Sequence, residues 1–465
     1  MERIAEAIER PVYDMLATAG GRRAFHMPGH KGRAPFGSLD LYALDTTELP
    51  NTDDLYAPEG GLLRAQRLYA EAAGAAETLF LHGGATAGIH AMLQLWAREG
   101  EVALLPRNAH LSAVNACILG GLRVRWIPVT WRADGYGYVR EADVLAALVA
   151  YPEARVLLLT RPDYYGGCMP LEAIIQRAHS MGVRVAVDEA HGAHLPWLAG
   201  LSSAGECGAD AWVQSVHKTL PGFTASAVLH LRRAADRGRA MTLLRREQTS
   251  SPSFLLMMGI DDARAFMQAR GAKRLRRVIG WAEELRALLP SLGYGDAHRA
   301  WRRDIVSGQL AFDPTRLVID APQGGEALAE ELRSRGIDVE MNDARRVVLI
   351  LTAMDEAEDF LALRRALESL PPQKAELPPM PELPALPPRR MEVRAAAMAA
   401  TETAPFAAAA GRIAAAAAGL YPPGVPLVCP GEEITPETAR RLAEAEPRRR
   451  FGTEGDGIVC VKGSA

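Results

Sequence analysis

Lys218 is the residue whose setting most invites covalent chemistry. It lies in Ser215-Val216-His217-Lys218-Thr219, just beyond the apolar run AWVQS at 211, which directs its amine toward a strand-end crevice instead of bulk solvent. Desolvation and nearby cations lower a lysine's pKa, and only the neutral amine attacks an aldehyde, so such a place suits Schiff-base chemistry. A lone lysine after a strand is more often a solvated surface charge, and the reading therefore needs partners. Asp188 ends the run VRVAVD, 30 residues upstream. A carboxylate there can pair with a protonated pyridine nitrogen, the pairing that makes pyridoxal phosphate an electron sink; its competing role is helix N-capping. The stretch Leu81-His82-Gly83-Gly84-Ala85-Thr86-Ala87-Gly88 follows a short apolar run and opens a helix. Its glycines permit close backbone approach and its first amides can hold a phosphate, although glycine-rich helix entries also serve plain packing. His110, in RNAHLS, can lay a flat ring against a flat cofactor, although a lone histidine is more often a satisfied structural residue.

These residues need elements to carry them. From about Gly74 to Leu231, apolar runs at 102 (VALLP), 122 (LRVRWIPV), 155 (RVLLLT), 183 (VRVAVD), 211 (AWVQS) and 226 (SAVLHL) alternate with helical spacing, as in Glu141–Ala150 and Leu171–Met181. That alternation predicts a mainly parallel sheet covered by helices. Ligands bind such sheets outside the carboxyl ends of the strands. There the polar strings RNAHLS, TRPDYY, DEAHGAH and SVHKT follow four of the runs, so four clusters converge on one crevice. Helix is expected from Leu255 to about Leu292, followed by a smaller α/β pattern: RLVIDAP, a helix over Gly325–Arg335, IDVEM, RRVVLILT and a helix over Glu356–Leu370. Residues 371–388 hold eight prolines and should be extended. Beyond them, alanine-rich helices are expected at Met391–Ala400 and Phe406–Leu420, then a turn-rich YPPGVPLVCPGEEIT and a capped helix from Thr435. The expected domains are 1–73, 74–255, 256–370, a linker at 371–390, and 391–465.

Competing motifs fall away on context. DEAH at 188–191 occurs in helicase sites, but no G-x-x-x-x-G-K-[ST] is present and 53 basic against 56 acidic side chains leave a net charge of −3, without the basic surplus of a nucleic-acid binder. Asp188, Glu189, His191 and His194 lack the spacing of a metal helix, and Gly135-Tyr136-Gly137 lacks the third glycine of a dinucleotide turn. No metal is expected. Five scattered cysteines with no Cys-x-x-Cys pair read as buried free thiols. The 465 residues allow two to three domains at about 150 each. No apolar stretch has the length of a membrane span. MERIAEAIERPVYDML reads as an amphipathic helix and not as a signal peptide, so a cytoplasmic location is expected.

The ordered blocks resemble those of a known family, the short-form ornithine/lysine/arginine decarboxylases of the fold-type-I pyridoxal phosphate enzymes. The resemblance covers nearly the whole chain: HMPGHKGR at 26–33, LDTTELPNTDDLYAPEGGLLRAQRLYAEAAGA at 44–75, LHGGATAG, RNAHLS, TRPDYYGG at 160–167, VDEAHGAH, SVHKTLPG, QTSSPSFLLM at 248–257, DPTRLVI at 313–319 and YPPGVPLVCPGEEIT at 421–435. It implies a transferase-like α/β large domain with a mainly parallel sheet, a smaller α/β domain and a C-terminal decarboxylase-type module. It further implies that pyridoxal 5'-phosphate is bound by Lys218 as a Schiff base, by Asp188 at the pyridine nitrogen and by His110 against the ring. Thr86, Ser215, His217 and the amides of Gly84, Ala85, Thr86 and Ala87 would hold the phosphate, with His191 also at the cofactor. Thr249 and Ser250 would reach the cofactor of a neighbouring subunit, in a homodimer or dimer of dimers with shared sites. The sequence departs from the family at Ala85 and Ala87, where hydroxyl residues are common, and at Leu111, where lysine is common; phosphate binding would then rest more on backbone amides, Thr86, Ser215 and His217. The implied reaction is decarboxylation of a basic L-amino acid, with arginine preferred over lysine or ornithine. By charge alone, Asp53, Asp54, Glu432 or Glu433 would meet the substrate's distal cation. Another fold-type-I reaction, amino transfer or lysis, and a catalytically impaired cofactor-binding homologue remain open alternatives.

Overall fold

The computed structural model describes residues 9–19, 40–304, 309–370, 375, 386–421 and 424–464. The HMPGHKGR block and most of the proline-rich segment lie outside the described residues.

Seven strands form the main sheet: β1 (Glu77–Leu81), β2 (Val102–Pro106), β3 (Arg123–Ile127), β4 (Ala154–Thr160), β5 (Arg184–Asp188), β6 (Ala211–Ser215) and β7 (Ala227–Leu231). Their spatial order is β1-β7-β6-β5-β4-β2-β3. β7 runs antiparallel to both its neighbours, and the pairs from β6 to β3 are parallel. Alternate residues of these strands enter two separate cores: Leu157, Val185, Val187 and Trp212 pack on one face, and Val156, Leu158, Ala186 and Val213 on the other. A sheet covered on both faces explains why its strands read as continuous apolar runs. Helices Glu141–Ala150 and Glu172–Ser180 fall where periodicity places them.

A second sheet has the order β8 (Gly295–Asp296), β9 (Arg316–Asp320), β11 (Arg346–Ile350) and β10 (Met341–Asn342), antiparallel throughout. Helices Gly325–Arg333 and Ala357–Glu368 share its core. The expected IDVEM strand shrinks to its last residue and Asn342, although the Glu340 amide donates to the Val348 carbonyl at 3.0 Å and prolongs the pairing.

The C-terminal region departs furthest from expectation. Instead of two alanine-rich helices it has short helices at Val393–Ala397 and Phe406–Ala409, with strands at Thr401–Pro405 and Ala418–Leu420. Gly411 at φ 85° interrupts any helix after Ala409. Ala409, Ala414 and Ala418 are buried in a core with Val428, Ile434 and Ile458, where small side chains allow close approach of backbone. Tertiary burial overrides helix propensity here. The helix from Thr435 is present as Pro436–Glu444, its N-cap Thr435 accepting from the Thr438 amide at 3.1 Å.

Candidate active site

The crevice lies at the carboxyl ends of the central strands. Asp188 is the last residue of β5 and is buried, its Oδ1 accepting from the Ala190 amide at 3.1 Å. Burial pushes its carboxyl upward, and the Lys218 charge, that amide and His110 oppose the shift. Lys218 stands in the single turn Val216–Thr219 that follows β6. Burial lowers its amine, while Asp188 and Glu340 raise it and Arg316 lowers it further. His110 is the N-cap of Leu111–Gly120; its Nδ1 accepts from the Ser112 amide at 3.2 Å, which fixes the ring. Desolvation by the crevice walls lowers the His110 pKa.

His191 joins this group through two contacts. Its Nε2 lies 3.2 Å from Lys218 Nζ, and its Nδ1 lies 3.2 Å from Nη2 of the buried Arg316. A guanidinium only donates, so Nδ1 must accept, and the neutral ring then carries its proton on Nε2. That proton points at Lys218, whose amine can accept it only when neutral. Burial, with Lys218 and Arg316 as neighbouring cations, holds His191 well below its ordinary pKa. Arg316 opens β9, so the second sheet sets the tautomer of a histidine on the first. Sequence reading assigned Arg316 no role; a lone arginine leading the apolar strand RLVID was the available signal.

The rest of DEAHGAH is accounted for internally. Glu189 accepts from Gln214 Nε2 and the Ala204 amide, each at 2.7 Å, and burial pushes its carboxyl up to about 7. His194 Nε2 meets Asp313 Oδ2 at 3.1 Å. Among the described residues no group of three or more His, Cys, Asp or Glu side chains is arranged to hold a metal.

The glycine turn leads into the helix Gly84–Trp96, which has no side-chain N-cap. Its first amides are left for an outside acceptor. Gly84 has φ 66°, and a Cβ on Gly88 would stand 2.5 Å from Val213 Cγ2, so one glycine makes the turn and the other lets the helix close on β6. Thr86 is exposed beside Gly84 and Ala85, whereas Ala87 is buried. Ser215 is buried at the end of β6, and His217 Nδ1 contacts the Ser226 carbonyl at 3.0 Å. Gln248, which sequence reading passed over, accepts from the His82 and Gly83 amides at 2.9 and 3.0 Å. Thr249 and Ser250 follow it, exposed, with the Thr249 carbonyl accepting from the Tyr56 hydroxyl at 2.6 Å.

Two of the charge-based expectations are corrected. Glu432 is buried and both its oxygens meet the Arg107 guanidinium, at 2.6 and 2.8 Å, while one also accepts from the Cys429 amide. It is an internal counter-ion and has no oxygen left for a substrate. Asp53 accepts four backbone amides, from Asp54, Glu59, Gly60 and Leu62, and so ties down the loop entering helix Gly61–Ala73. Asp54 accepts from the Tyr56 amide at 2.8 Å, on the glycine-turn side of the crevice. Glu433 pairs with Arg390 at 2.7 Å.

An open, mainly parallel sheet with one reversed strand, a lysine after one strand end and an aspartate on another define a fold-type-I enzyme. Residues 10–359 match the family described as Orn/Lys/Arg decarboxylase, major domain, and residues 380–444 match its C-terminal domain. The chain belongs to the Orn/Lys/Arg decarboxylase family and is a decarboxylase. It is similar to the uncharacterized protein YaaO of Bacillus subtilis, 34% identical over 462 residues, covering 93% of each chain. It is also similar to the arginine decarboxylase of the same organism, 32% identical with 92% of each covered. Among solved structures it resembles the constitutive lysine decarboxylase of E. coli, with a TM-score of 0.81 at 19% identity, covering 98% of this chain and 82% of that one.

Proposed function

We propose that the protein removes carbon dioxide from a basic L-amino acid, arginine before lysine or ornithine, using pyridoxal 5'-phosphate. The observation that carries this is Lys218, its amine lowered by burial and facing a histidine proton, in one crevice with Asp188 and His110. The donor set fits the cofactor. The uncapped amides of Gly84, Ala85, Thr86 and Ala87, with Ser215, His217 and Thr86 side chains, would hold the phosphate; Asp188 would meet the pyridine nitrogen and His110 the ring face. Bound there, pyridoxal phosphate supplies an electron sink for the electrons released when the carboxylate leaves.

The chain's own residues prepare that step. Burial lowers the pKa of Lys218 and so favours its neutral amine, the form able to bond carbonyl carbon, and His191 lies within hydrogen-bond reach of that amine. Asp188 would place its carboxyl opposite a protonated ring nitrogen, whose positive charge would favour the carboxylate. The Lys218 amine would also carry the proton that replaces the carboxylate. Arginine is favoured because relatives about one third identical along almost their whole length are named arginine decarboxylases. Thr249 and Ser250, exposed beside the glycine turn, would complete the site of a second copy, in a homodimer or dimer of dimers. The enzyme would work in the cytoplasm, in polyamine or amino-acid metabolism; among the described residues no helix is long and apolar enough to cross a membrane.

The test is carbon dioxide release by purified protein supplied with pyridoxal phosphate, against arginine, lysine and ornithine in parallel. Release from arginine at the highest kcat/KM is the expected result. Keto acid formation without carbon dioxide would replace the reading with amino transfer.

A further inference from the structure

Arg316 is fully buried, and the way it is seated shows what it is aimed at. Its stem passes over Gly166, which has φ 91° and where a Cβ would stand 2.7 Å from Arg316 Cγ, so the TRPDYYGG loop of the main sheet leaves room for it with a glycine. Asp313, just before β9, supplies the counter-charge, its Oδ2 3.7 Å from Nη1, and Thr315 Oγ1 lies 3.5 Å from the same nitrogen. Burial works against the Asp313 charge, but His194, Arg316 and Thr315 together hold its carboxyl well below the usual carboxylate range. Nη2, at the other tip of the fork, has two hydrogens, and both of its acceptors belong to one residue: the His191 carbonyl at 3.3 Å and His191 Nδ1 at 3.2 Å. The Tyr164 ring closes edge-on against the imidazole, with centroids 5.0 Å apart. Backbone and ring of His191 are therefore both clamped, with Nε2 left 3.2 Å from Lys218 Nζ.

We infer that Arg316 is a positioning residue for Lys218: by donating to His191 Nδ1 it keeps the ring's proton on Nε2, so that the reactive amine faces a hydrogen-bond donor. This assignment rests on the decarboxylase reading above for the use made of the amine, and deepens it by naming what prepares that amine. The physical case turns on which nitrogen of a neutral imidazole is protonated. With the proton on Nδ1, Nε2 would present a lone pair, and an ammonium at Lys218 would donate to it and be favoured. With the proton on Nε2, an ammonium at the same distance would meet hydrogen against hydrogen, whereas a neutral amine has the lone pair to accept. A hydrogen bond made to the neutral form disfavours the charged one. Arg316 therefore acts on Lys218 through the ring as well as by its charge. Around the amine, burial and Arg316 favour the neutral form and Asp188 and Glu340 oppose them; His110, lowered by desolvation, is a further titratable neighbour. A charge effect alone needs no contact with His191, so two contacts from one nitrogen to that residue are the mark of orientation. Because Arg316 stands on β9, the lysine of the main sheet is made reactive by the docking of the second.

The experiment compares full-chain wild type, Arg316→Met and Arg316→Lys. Solid-state nitrogen NMR of histidine-labelled protein reads which ring nitrogen of His191 carries the proton, the signal being assigned by its loss in His191→Gln. The pH dependence of Lys218 acetylation by acetic anhydride, followed by mass spectrometry, reads the neutral fraction of the amine without any cofactor chemistry. Wild type should show the proton on Nε2. Arg316→Met should populate the Nδ1–H form and slow Lys218 acetylation at neutral pH by about 10-fold, the effect of one pKa unit, with the loss recovered at higher pH. Arg316→Lys, which keeps a donor and a charge, should return both readings toward wild type. Wild type with its proton on Nδ1 overturns the inference, whether or not the variants fold. So does slower acetylation in Arg316→Met with the His191 proton still on Nε2, because Arg316 would then act by charge alone and position nothing. Carbon dioxide release from arginine, lysine and ornithine is measured on the same preparations: silence there, with tautomer and acetylation as expected, removes the decarboxylase reading and leaves the role of Arg316 standing.

Discussion

Two of the regions in which this molecule buries charge are built differently. At the seam between the C-terminal region and the main sheet, each buried arginine meets a carboxylate or a carbonyl. Arg107, directly after β2, makes a forked pair with Glu432, donates to the Pro426 carbonyl at 3.3 Å and covers the Trp126 ring. Arg125 on β3 pairs with Glu392 at 3.2 Å, and Arg394 donates to the Ile118 and Leu119 carbonyls at the end of the helix that His110 begins. In the crevice, by contrast, Asp188, Lys218, His110 and His191 face one another without a single forked pair, and Nε of Arg316 has no partner. Satisfied charge locks a geometry, whereas incompletely satisfied charge shifts pKa values and stays available for chemistry. The seam also grips the His110 segment at both ends, so the locked region holds one wall of the reactive one.

Substitutions should separate the two regions. The largest effect is expected from Lys218→Ala, which should abolish carbon dioxide release and the visible absorbance of lysine-bound cofactor while leaving the unfolding midpoint near wild type; turnover at the wild-type rate would remove the lysine from the mechanism. Asp188→Asn should lower kcat by roughly two to three orders of magnitude, the scale for deleting an electrostatic partner of the reacting group, again with little loss of stability. The seam should show the reverse. Glu432→Ala strands the Arg107 charge and should cost about 3–5 kcal/mol in denaturant unfolding, with the pair Arg107→Met/Glu432→Leu recovering most of it. If Glu432→Ala instead changed KM for arginine without lowering stability, the carboxylate would belong to the substrate after all.

The smallest effect concerns histidines outside both regions. Burial lowers His230 and His298 to about 3. An unfolded histidine takes its proton near pH 6.5, so between these values the unfolded chain binds more protons than the folded one. The stabilisation is complete above about pH 6.5 and is lost as pH falls toward 3. His298→Gln should therefore lose less stability than wild type between pH 7 and pH 4; an equal loss would show that other groups dominate acid unfolding.

Much of the fold was legible because its determinants are local. A strand buried on both faces must be apolar throughout, and each of the six runs noted above falls on a strand of the main sheet. The crevice residues were legible for a related reason, since polar residues directly after such strands have only the strand-end edge to occupy. The alanine-rich C-terminal stretches misled because alanine's helix preference is weak against a core that needs small side chains at Ala414 and Ala418. Asp53 and Glu432 misled because charge alone does not say whether a carboxylate's oxygens are already engaged.

The sequence by itself determined which residue types stand at the ends of which strands: Lys218 after β6, Asp188 on β5, His110 after β2 and glycine at the helix entry. Apolar periodicity and chain direction place these without reference to distant contacts. Only the tertiary structure decided which of the remaining charges are used up and which are free. Arg107 reaches Glu432 across 325 residues and Arg316 reaches His191 across 125. Tyr164 reaches Glu340 across 176 residues only because the second sheet sets its leading edge beside it. Those partnerships depend on how separate layers dock, and a hydrogen bond's directionality and reach of about 3 Å make them a property of that docking.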